Sequence, residues 1–542
     1  MARNLQADME TLRTVLTYAQ NRDFKRASAL AEETLASGFE HPMLLNVVAT
    51  RLELEGRLED ALRLLQRAVS ISPGDVGARN ALSLCLQRLD RPAEALVHID
   101  ELLKRQPDLG FAHANKGNAL IALGLLARAK LSHMRALELD PGNLAATTAI
   151  ASIATHRGEH EEARQWAAKA LSMAPGFPDA VLSLAAADLA AGETGQAESL
   201  LHQLIVDMRA GPSDRARASG LLGDVLDAAG RHPEAFDAYS DCNEALRKIH
   251  GHIANGTGTR AYTHALSAAM DKTTAVEWKS PAELQAAAAE VREHVFLIGF
   301  PRSGTTLLEV VLDGHPDVAS IEEHELLTDS VLKFMREPVD FGPLIRADDN
   351  LLRAFRAAYW ERVGESGVNV AGKVFIDKHP LNTLKLPLIA RLFPRAKILF
   401  ARRDPRDVVF SCFRRRFKMN SAMYELLTLP GAAAFYDAVM EFAERAHAVL
   451  DLDWRDVRYE SLATDFALET RAICQFLGLK WSAGMGEFAS RVQSRDHATP
   501  STAQLARGLD RSSIDHWQRY SAQLEPILPT LRPWIERWRY PA

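Results

Sequence analysis

The sequence predicts an N-terminal all-α solenoid of repeated helix pairs, followed by a C-terminal α/β domain with a central parallel sheet. Prolines, alanines and glycines recur every 34 residues before residue 250, which is typical of one helix–turn–helix unit per repeat. After residue 290, short apolar runs alternate with helical patterns, which favours parallel strands with crossover helices. With 542 residues, the chain is also too long for one ordinary core.

Three residue types keep the 34-residue period independently. The prolines that end the second helix of a pair are Pro73, Pro107, Pro141 and Pro175. Small residues where two helices cross are Ala27, Ala61, Ala95, Ala129, Ala163 and Ala197. Glycines in the turn between the helices are Gly56, Gly124, Gly158 and Gly192, with Asp90 in the remaining position.

This pattern resembles the tetratricopeptide repeat from about Arg22 to Arg247. The resemblance implies a groove that holds an extended peptide or a partner helix. Packing against the chain's own second domain or against a twin chain, as in a homodimer, is the alternative. The predicted domains are a solenoid over residues 1–250, a glycine- and threonine-rich connector over 251–289 and an α/β domain over 290–542.

Composition and charge exclude several classes of partner. The net charge of −6, from 64 basic and 70 acidic residues, gives no bulk attraction to nucleic acid or an anionic membrane. The four cysteines form no CxxC pair, so neither a disulfide framework nor a zinc site is predicted. There is no apolar signal core or membrane-spanning stretch, so a cytoplasmic location is expected.

The α/β domain opens with a predicted phosphate-binding loop. Val295–Ile298 reads as a buried strand, Gly299–Gly304 as a loop and Thr305 as the start of a helix. Loop amides and a helix N-terminus direct partial positive charge at one place. The spacing is that of a Walker A loop, but Thr305 stands where the lysine would be and the cation has moved to Arg302. An ordinary strand–turn–helix is the alternative.

Two further strand ends carry cations. The apolar runs 374–377 and 396–401 are followed by Lys378 and Arg403, and ligands belong at the carboxyl ends of parallel strands. Asp404 and Pro405 predict a helix start directly after Arg403. Residues 401–418 include seven basic and two acidic residues. This run predicts a solvated helix face, a nucleic-acid patch or a second phosphate site.

The two anion sites resemble those of the sulfotransferases that use 3′-phosphoadenosine 5′-phosphosulfate, and most closely the tyrosylprotein sulfotransferases. The similarity covers most of residues 293–520 and none of the repeats. Motifs that carry it are Pro-Arg-Ser-Gly-Thr-Thr at 301–306, Glu322–Glu323, Asp377-Lys-His-Pro380, Arg403 with Ser411 eight residues later, Val457-Arg-Tyr-Glu460 and Ser501-Thr-Ala-Gln504.

The resemblance implies a role for each matching residue. The phosphosulfate is expected to contact Arg302, Ser303, Gly304, Thr305 and Thr306. The 3′-phosphate side is expected to contact Arg403, Ser411 and Arg415, and the nucleotide Tyr459, Ser501 and Arg507. The expected general base is Glu323, with Lys378 and Arg302 as catalytic cations. The sequence departs from the family at Ile321, Arg507 and His516, where the family has a glycine and two lysines.

The chemistry agrees with these residue types. A sulfuryl group carries less charge than a phosphoryl group, so its transfer requires no obligatory magnesium, and no metal site is predicted. Competing bases are Glu322, His324 and His379. The expected acceptor is a protein or peptide tyrosine recruited by the repeats, with saccharide or small-molecule hydroxyls as alternatives. A P-loop kinase or NTPase is the alternative enzyme, because residues 374–377 imitate a Walker B strand ending in Asp377. A scaffold with an inactive nucleotide-binding domain is the third reading.

Overall fold

The structure of the chain, a computed structural model, describes residues 5–279, 291–488 and 511–541. The described residues form two compact units, one up to Ala187 and the other from Asp188 onward. The division falls inside a helix of the repeats, so the last repeats belong to the same unit as the α/β domain. The domain boundaries predicted from the sequence stay predictions.

The first unit consists of consecutive helix pairs. Its helices are α1 Leu5–Gln20, α2 Phe24–Ala36, α3 Pro42–Leu54, α4 Leu58–Ile71, α5 Val76–Arg88, α6 Pro92–Arg105, α7 Gly110–Ala122, α8 Leu126–Leu139, α9 Leu144–Arg157, α10 His160–Met173 and α11 Pro178–Ala190, in which the division falls. The periodic alanines, from Ala27 to Ala197, are all fully buried. Asp90 adopts a left-handed φ of 59°, as the glycines in the equivalent turns do, so the one substituted position keeps the turn.

The second unit begins with the remaining repeat helices and continues into the α/β domain. Its helices up to the sheet are α12 Thr194–Val206, α13 Pro212–Ala228, α14 His232–Ile249, α15 Thr259–Met270 and α16 Ala275–Trp278. Part of the predicted connector is therefore helical. The helix α15 is stabilised by packing, since its Leu266 and Met270 side chains are buried.

The α/β domain contains five described strands: β1 Glu293–Gly299, β2 Val318–Glu322, β3 Val374–Lys378, β4 Lys397–Arg402 and β5 Asp453–Arg458. Its helices are α17 Thr305–Leu312, α18 Thr328–Phe334, α19 Gly342–Ile345, α20 Asp349–Glu365, α21 Leu386–Leu392, α22 Pro405–Phe413, α23 Ser421–Glu425, α24 Leu429–Val449, α25 Tyr459–Thr464, α26 Phe466–Leu477, α27 Ser521–Leu524 and α28 Leu528–Arg537. Short 3-10 helices lie at Gly251–Asn255, Pro380–Lys385, Ala483–Glu487, Arg511–Ser513, His516–Tyr520 and Glu525–Ile527.

The sheet is parallel, as predicted, with strand order β2-β3-β1-β4-β5. The predicted strand β1 lies at its centre, and Leu297 pairs with Lys378 of β3 while Gly299 pairs with Ala401 of β4. The carboxyl ends of these three strands therefore meet at one edge of the sheet. The order also reverses at β1, which is where ligands bind in open α/β sheets.

Two apolar layers hold this edge in place. One face of the sheet, including Leu297 and Ile376, packs against α17 and α26. The other face presents His294, Phe296 and Phe375 to the aromatic rings of Tyr359, Trp360 and Phe393. Burial on both faces explains why the strands are continuously apolar. No described helix has both the length and the hydropathy needed to cross a bilayer.

Candidate active site

The loop between β1 and α17 is fixed by hydrogen bonds at both ends. The Thr383 hydroxyl donates to the Gly299 carbonyl at 2.7 Å and accepts from the Gly299 amide at 3.1 Å. The Ser303 hydroxyl donates to the Phe300 carbonyl at 2.6 Å, and the Cys412 thiol donates to the Pro301 carbonyl at 3.3 Å. The loop is thus held in shape by the protein alone, which lowers the entropy cost of binding an anion there.

The two loop glycines are required by close contacts. A Cβ at Gly299 would lie 2.7 Å from the Ala401 carbonyl oxygen, and one at Gly304 would lie 2.6 Å from the Tyr459 ring. Gly304 also has a φ of 97° and forms the N-cap of α17. The predicted residues Thr305 and Thr306 follow as the first turn of α17, whose amides have no acceptor within the helix and create an anion site.

The predicted second anion site joins the first. The Arg302 Nε donates to the Ser411 hydroxyl at 3.1 Å, and Arg403 donates to the Arg302 carbonyl at 3.4 Å. Arg403 also donates to the Ser513 carbonyl and lies 4.7 Å above the Tyr459 ring. The structure therefore brings Arg302, Arg403, Ser411 and Tyr459 together, although they come from three separate stretches of the sequence.

Cations are crowded here. Burial, together with the charges of Arg415 and Arg403, lowers the pKa of Arg302 to about 9. The Nε atoms of Arg403 and Arg415 are buried and have no hydrogen-bond partner among the described residues. An anion with several oxygens would satisfy these donors and relieve the repulsion, so the residues fit a phosphorylated nucleotide.

Lys378 lies at the same edge of the sheet, fully buried. Its Nζ donates to Glu322 at 2.6 Å and to Glu323 at 2.9 Å, and lies 3.8 Å from Glu309 of α17. Burial lowers the pKa of Lys378, but these carboxylates outweigh burial and raise it above its usual value. Lys378 is therefore a permanent cation held in a fixed position.

Glu323 is the partly exposed member of this group. Its side chain is 51% exposed, against 18% for Glu322. Its backbone has a φ of 53°, and its amide donates to the Lys378 carbonyl at 2.7 Å. Burial raises the pKa of Glu323, but Lys378 outweighs burial, with smaller contributions from His379 and Arg302, so the pKa lies below its usual value. Burial therefore does not make Glu323 a stronger base than an ordinary carboxylate.

The competing bases are placed differently. His324 Nδ1 lies 2.9 Å from the Glu322 carbonyl, and His379 Nε2 lies 3.3 Å from Glu325. Glu322 is more buried than Glu323 and lies closer to Lys378. Of the described candidates, Glu323 alone combines contact with Lys378 and a half-exposed carboxylate.

Asp377, the residue that imitates a Walker B aspartate, faces away from Lys378. It accepts hydrogen bonds from the Tyr359 hydroxyl at 3.0 Å and from the Asn382 amide at 3.3 Å, on the aromatic side of the sheet. Burial outweighs the opposing effect of the hydrogen bond from Tyr359 and raises the pKa of Asp377 to about 6. This placement disfavours a Walker B role.

Three contributors were not predicted from the sequence. Glu309 is a carboxylate at 2% exposure in an otherwise apolar helix, and this contrast was the available signal. Thr383 and Ser513 offered no signal, because their roles depend on the tertiary fold. The predicted nucleotide residues Ser501 and Arg507 lie outside the described residues.

Comparison with known proteins agrees with this geometry. Residues 294–483 match the sulfotransferase family, and residues 12–76, 52–115 and 115–178 match tetratricopeptide repeats. The chain carries tetratricopeptide repeats followed by a sulfotransferase-family domain. The fold class predicted from the sequence is confirmed.

The relatives are distant. A protein of Aquifex aeolicus without an assigned function is 24% identical over 79% of this chain and 54% of its own length. Protein-tyrosine sulfotransferase 1 of Danio rerio is 26% identical over 44% of this chain and 71% of its own. The Mus musculus protein of the same name is 33% identical over 23% of this chain and 37% of its own. The chain thus spans about half the length of the Aquifex relative.

Proposed function

We propose that this protein transfers a sulfuryl group from 3′-phosphoadenosine 5′-phosphosulfate to an acceptor hydroxyl. The observation that carries the proposal is the contact of the Lys378 ammonium with Glu323, at the edge of the sheet where the loop after β1 carries Arg302. A base, a cation and an anion-binding loop at one edge are what an in-line transfer to a hydroxyl requires. The match of residues 294–483 to the sulfotransferase family supports this proposal.

Binding of the donor is assigned to the two joined anion sites. The amides of the first turn of α17, with Arg302, Ser303 and Thr306, would hold the phosphosulfate. Arg403, Ser411 and Arg415 would hold the 3′-phosphate, because Arg403 and Arg415 each have a buried nitrogen without a described partner. Tyr459, which lies against Gly304 and Arg403, would contact the nucleotide.

The transfer step uses residues at the sheet edge. The acceptor oxygen forms a bond to sulfur as the bond from sulfur to the bridging phosphate oxygen breaks. The acceptor proton passes to the Glu323 carboxylate, and adenosine 3′,5′-bisphosphate leaves with the bridging electron pair. Lys378 and Arg302 stabilise the charge that develops on the leaving oxygen. The lowered pKa of Glu323 means that proton transfer from a phenol with a pKa of about 10 occurs late, when the new bond has made the proton acidic.

We propose a peptide tyrosine as the acceptor. Relatives named protein-tyrosine sulfotransferases support it, and the half-exposed Glu323 carboxylate is open to a large acceptor. The repeats would supply a second contact for such an acceptor and raise its local concentration at the site. A saccharide or a small phenol is the alternative acceptor.

The test of the donor site is calorimetric titration of the full chain with adenosine 3′,5′-bisphosphate and, separately, with ATP and magnesium. Preference for the bisphosphate is the expected result, because two phosphates would engage both anion sites. Preference for ATP with magnesium would instead indicate a P-loop kinase or NTPase. Binding of neither nucleotide would support the third hypothesis, a scaffold whose nucleotide-binding domain is inactive.

A further inference from the structure

The last repeat, α13 and α14, packs directly on the last residue of α22 and the three residues after it, in the same compact unit. That segment, Phe413–Arg416, comes two residues after Ser411 and contains Arg415, both assigned above to the 3′-phosphate. Repeats that only recruited an acceptor would need no such contact with the nucleotide site.

Apolar and polar contacts fix the backbone of this segment. The Asn243 amide of α14 donates to the Phe413 carbonyl at 2.8 Å, and both groups are buried. The Phe236 ring stacks on Phe413 with centroids 5.3 Å apart. Together they hold the C-terminal end of α22 against α14.

Asp227 of α13 interacts with several hydrogen-bond donors of the α/β domain. It pairs with Arg414 at 3.1 Å and His516 at 3.1 Å, and accepts from the Tyr520 hydroxyl at 2.6 Å. His232 of the same repeat lies 3.3 Å away. Burial raises the pKa of Asp227, but these donors outweigh burial and hold it below its usual range, so Asp227 carries its charge at neutral pH.

Asp224, one turn earlier in α13, forms an ion pair with Arg416. The two side chains are 2.9 Å apart, and the Tyr239 hydroxyl donates to Asp224 at 3.0 Å. Arg416 lies so close to α13 that a Cβ at Gly220 would be 2.7 Å from its Nη1. Gly220 is therefore required for this arginine to reach its aspartate.

Two of three consecutive arginines form ion pairs with aspartates of the last repeat. Arg414 and Arg416 each have an aspartate of the repeat, whereas Arg415 has no ion pair with a described acidic residue. The Arg415 charge interacts with Asp224 without a direct contact, and it also acts on Arg302, at the donor loop. One cation of the run is thus left available for an anion while its neighbours are neutralised.

We infer that the last repeat is part of the nucleotide site, in which Asp224 and Asp227 act as positioning residues that direct Arg415 and Ser411 toward the 3′-phosphate. This inference rests on the proposed function, because it concerns the same donor. It separates the repeats into an earlier part, proposed above to recruit the acceptor, and a final pair whose aspartates already have their partners within the chain.

The experiment measures the affinity of the full chain for adenosine 3′,5′-bisphosphate and for adenosine 5′-phosphate, which lacks the 3′-phosphate. Asp227→Asn and Asp224→Asn keep the side-chain shape and remove the charge, and the new amide oxygen in Asp224→Asn still accepts from Tyr239. Glu198→Gln is the matched control, since Glu198 pairs with Arg231 at 2.8 Å within the repeats and its described ion pairs and hydrogen bonds include none to residues 413–416. Thermal unfolding of each variant establishes that it is folded.

Both aspartate variants are expected to weaken bisphosphate binding about tenfold, with less than about twofold change for adenosine 5′-phosphate and no change in the control. The specific loss of the 3′-phosphate contribution separates positioning from general destabilisation, which would weaken both ligands equally. Equal losses of affinity for both ligands, unchanged affinity for the bisphosphate or tighter binding of the bisphosphate would each overturn this inference. None of these outcomes would overturn the proposed function. Failure of the unmodified chain to bind the bisphosphate would overturn the proposed donor site as well.

Discussion

Glu323 lies at a point where backbone strain and charge coincide. A non-glycine residue at a φ of 53° is uncommon, and such conformations persist where the surrounding structure enforces them. Here two hydrogen bonds enforce the conformation: the Glu323 amide donates to the Lys378 carbonyl, and the Glu323 carboxylate accepts from the Lys378 ammonium. One residue thus fixes both the backbone and the carboxylate of the proposed base.

Glu323→Gln is expected to preserve affinity for adenosine 3′,5′-bisphosphate and to lower the transfer rate by about two to four orders of magnitude, the usual span for a general base. The amide has nearly the same shape but cannot accept the proton. The matched control is Glu325→Gln, because Glu325 pairs with His379 and Lys385 rather than with Lys378. Near-normal turnover by Glu323→Gln in a steady-state assay would move the role to Glu322 or His324.

The pH dependence follows from the sign of the pKa shift. A base whose pKa is lowered is lost only when the pH falls below its ordinary value of about 4.3, and Lys378, with a raised pKa, stays charged through neutral pH. We therefore expect kcat/KM for the acceptor to be nearly constant between about pH 5.5 and 8. A decline toward acid pH within that range would instead indicate a histidine as the base.

At the scale of a helix pair, α7 and α8 meet at Gly117 and His133. A Cβ at Gly117 would lie 2.4 Å from the imidazole Nε2, and Tyr239 lies against Gly223 in the same way in the last repeat. His133 is 1% exposed, and neither ring nitrogen has a hydrogen-bond partner among the described residues. Burial lowers its pKa to about 4, so the packed helix pair favours the neutral ring.

The unfolded chain takes up a proton on His133 near pH 6.5, and the folded chain does so near pH 4. Stability is therefore fully present above about pH 6.5 and is lost as the pH falls toward 4. We expect amide exchange in α7–α8 to report a loss of about 1–2 kcal/mol between pH 7 and pH 5, and a smaller loss in His133→Phe. The same pH dependence in both proteins would contradict this role of His133.

Elements with a strong period were predictable, and contacts between distant elements were not. The 34-residue spacing predicted the helix pairs because each pair repeats the same small residues at the crossing. The spacing of Gly299 and Gly304 predicted the loop because glycine is required at both of these close contacts. The pairing of Arg414 and Arg416 with α13 was not predictable, since the sequence shows a run of basic residues without showing which partners they meet.

At the scale of the whole chain, the repeats have two proposed tasks. The final pair supports the nucleotide site, and the earlier repeats are proposed to recruit the acceptor. From the sequence alone, a chain beginning near residue 281 would be expected to bind the nucleotide. The contacts of α13 and α14 with residues 413–416 change that expectation.

A chain beginning at Pro178, the first residue of α11, is expected to bind the bisphosphate and to sulfate a small phenol normally. It should lose most of its activity toward a macromolecular acceptor, because it lacks the earlier repeats. A chain beginning near residue 281 should bind the bisphosphate at least about tenfold more weakly, since the aspartates of α13 are gone. Calorimetry and turnover assays on both chains measure these effects.

Full activity of the Pro178 chain on the macromolecular acceptor would contradict recruitment. Unchanged bisphosphate affinity of the chain from residue 281 would contradict the role of the last repeat. The two outcomes are independent, because the first concerns the acceptor and the second the donor.

The most direct measurement of the central claim is incubation of the full chain with 3′-phosphoadenosine 5′-phosphosulfate carrying labelled sulfate, together with a tyrosine peptide. The account predicts that label appears on the peptide hydroxyl in a one-to-one ratio with adenosine 3′,5′-bisphosphate, and that Glu323→Gln abolishes most of both. Bisphosphate affinity without labelled acceptor, across peptide, saccharide and phenol acceptors, would contradict it.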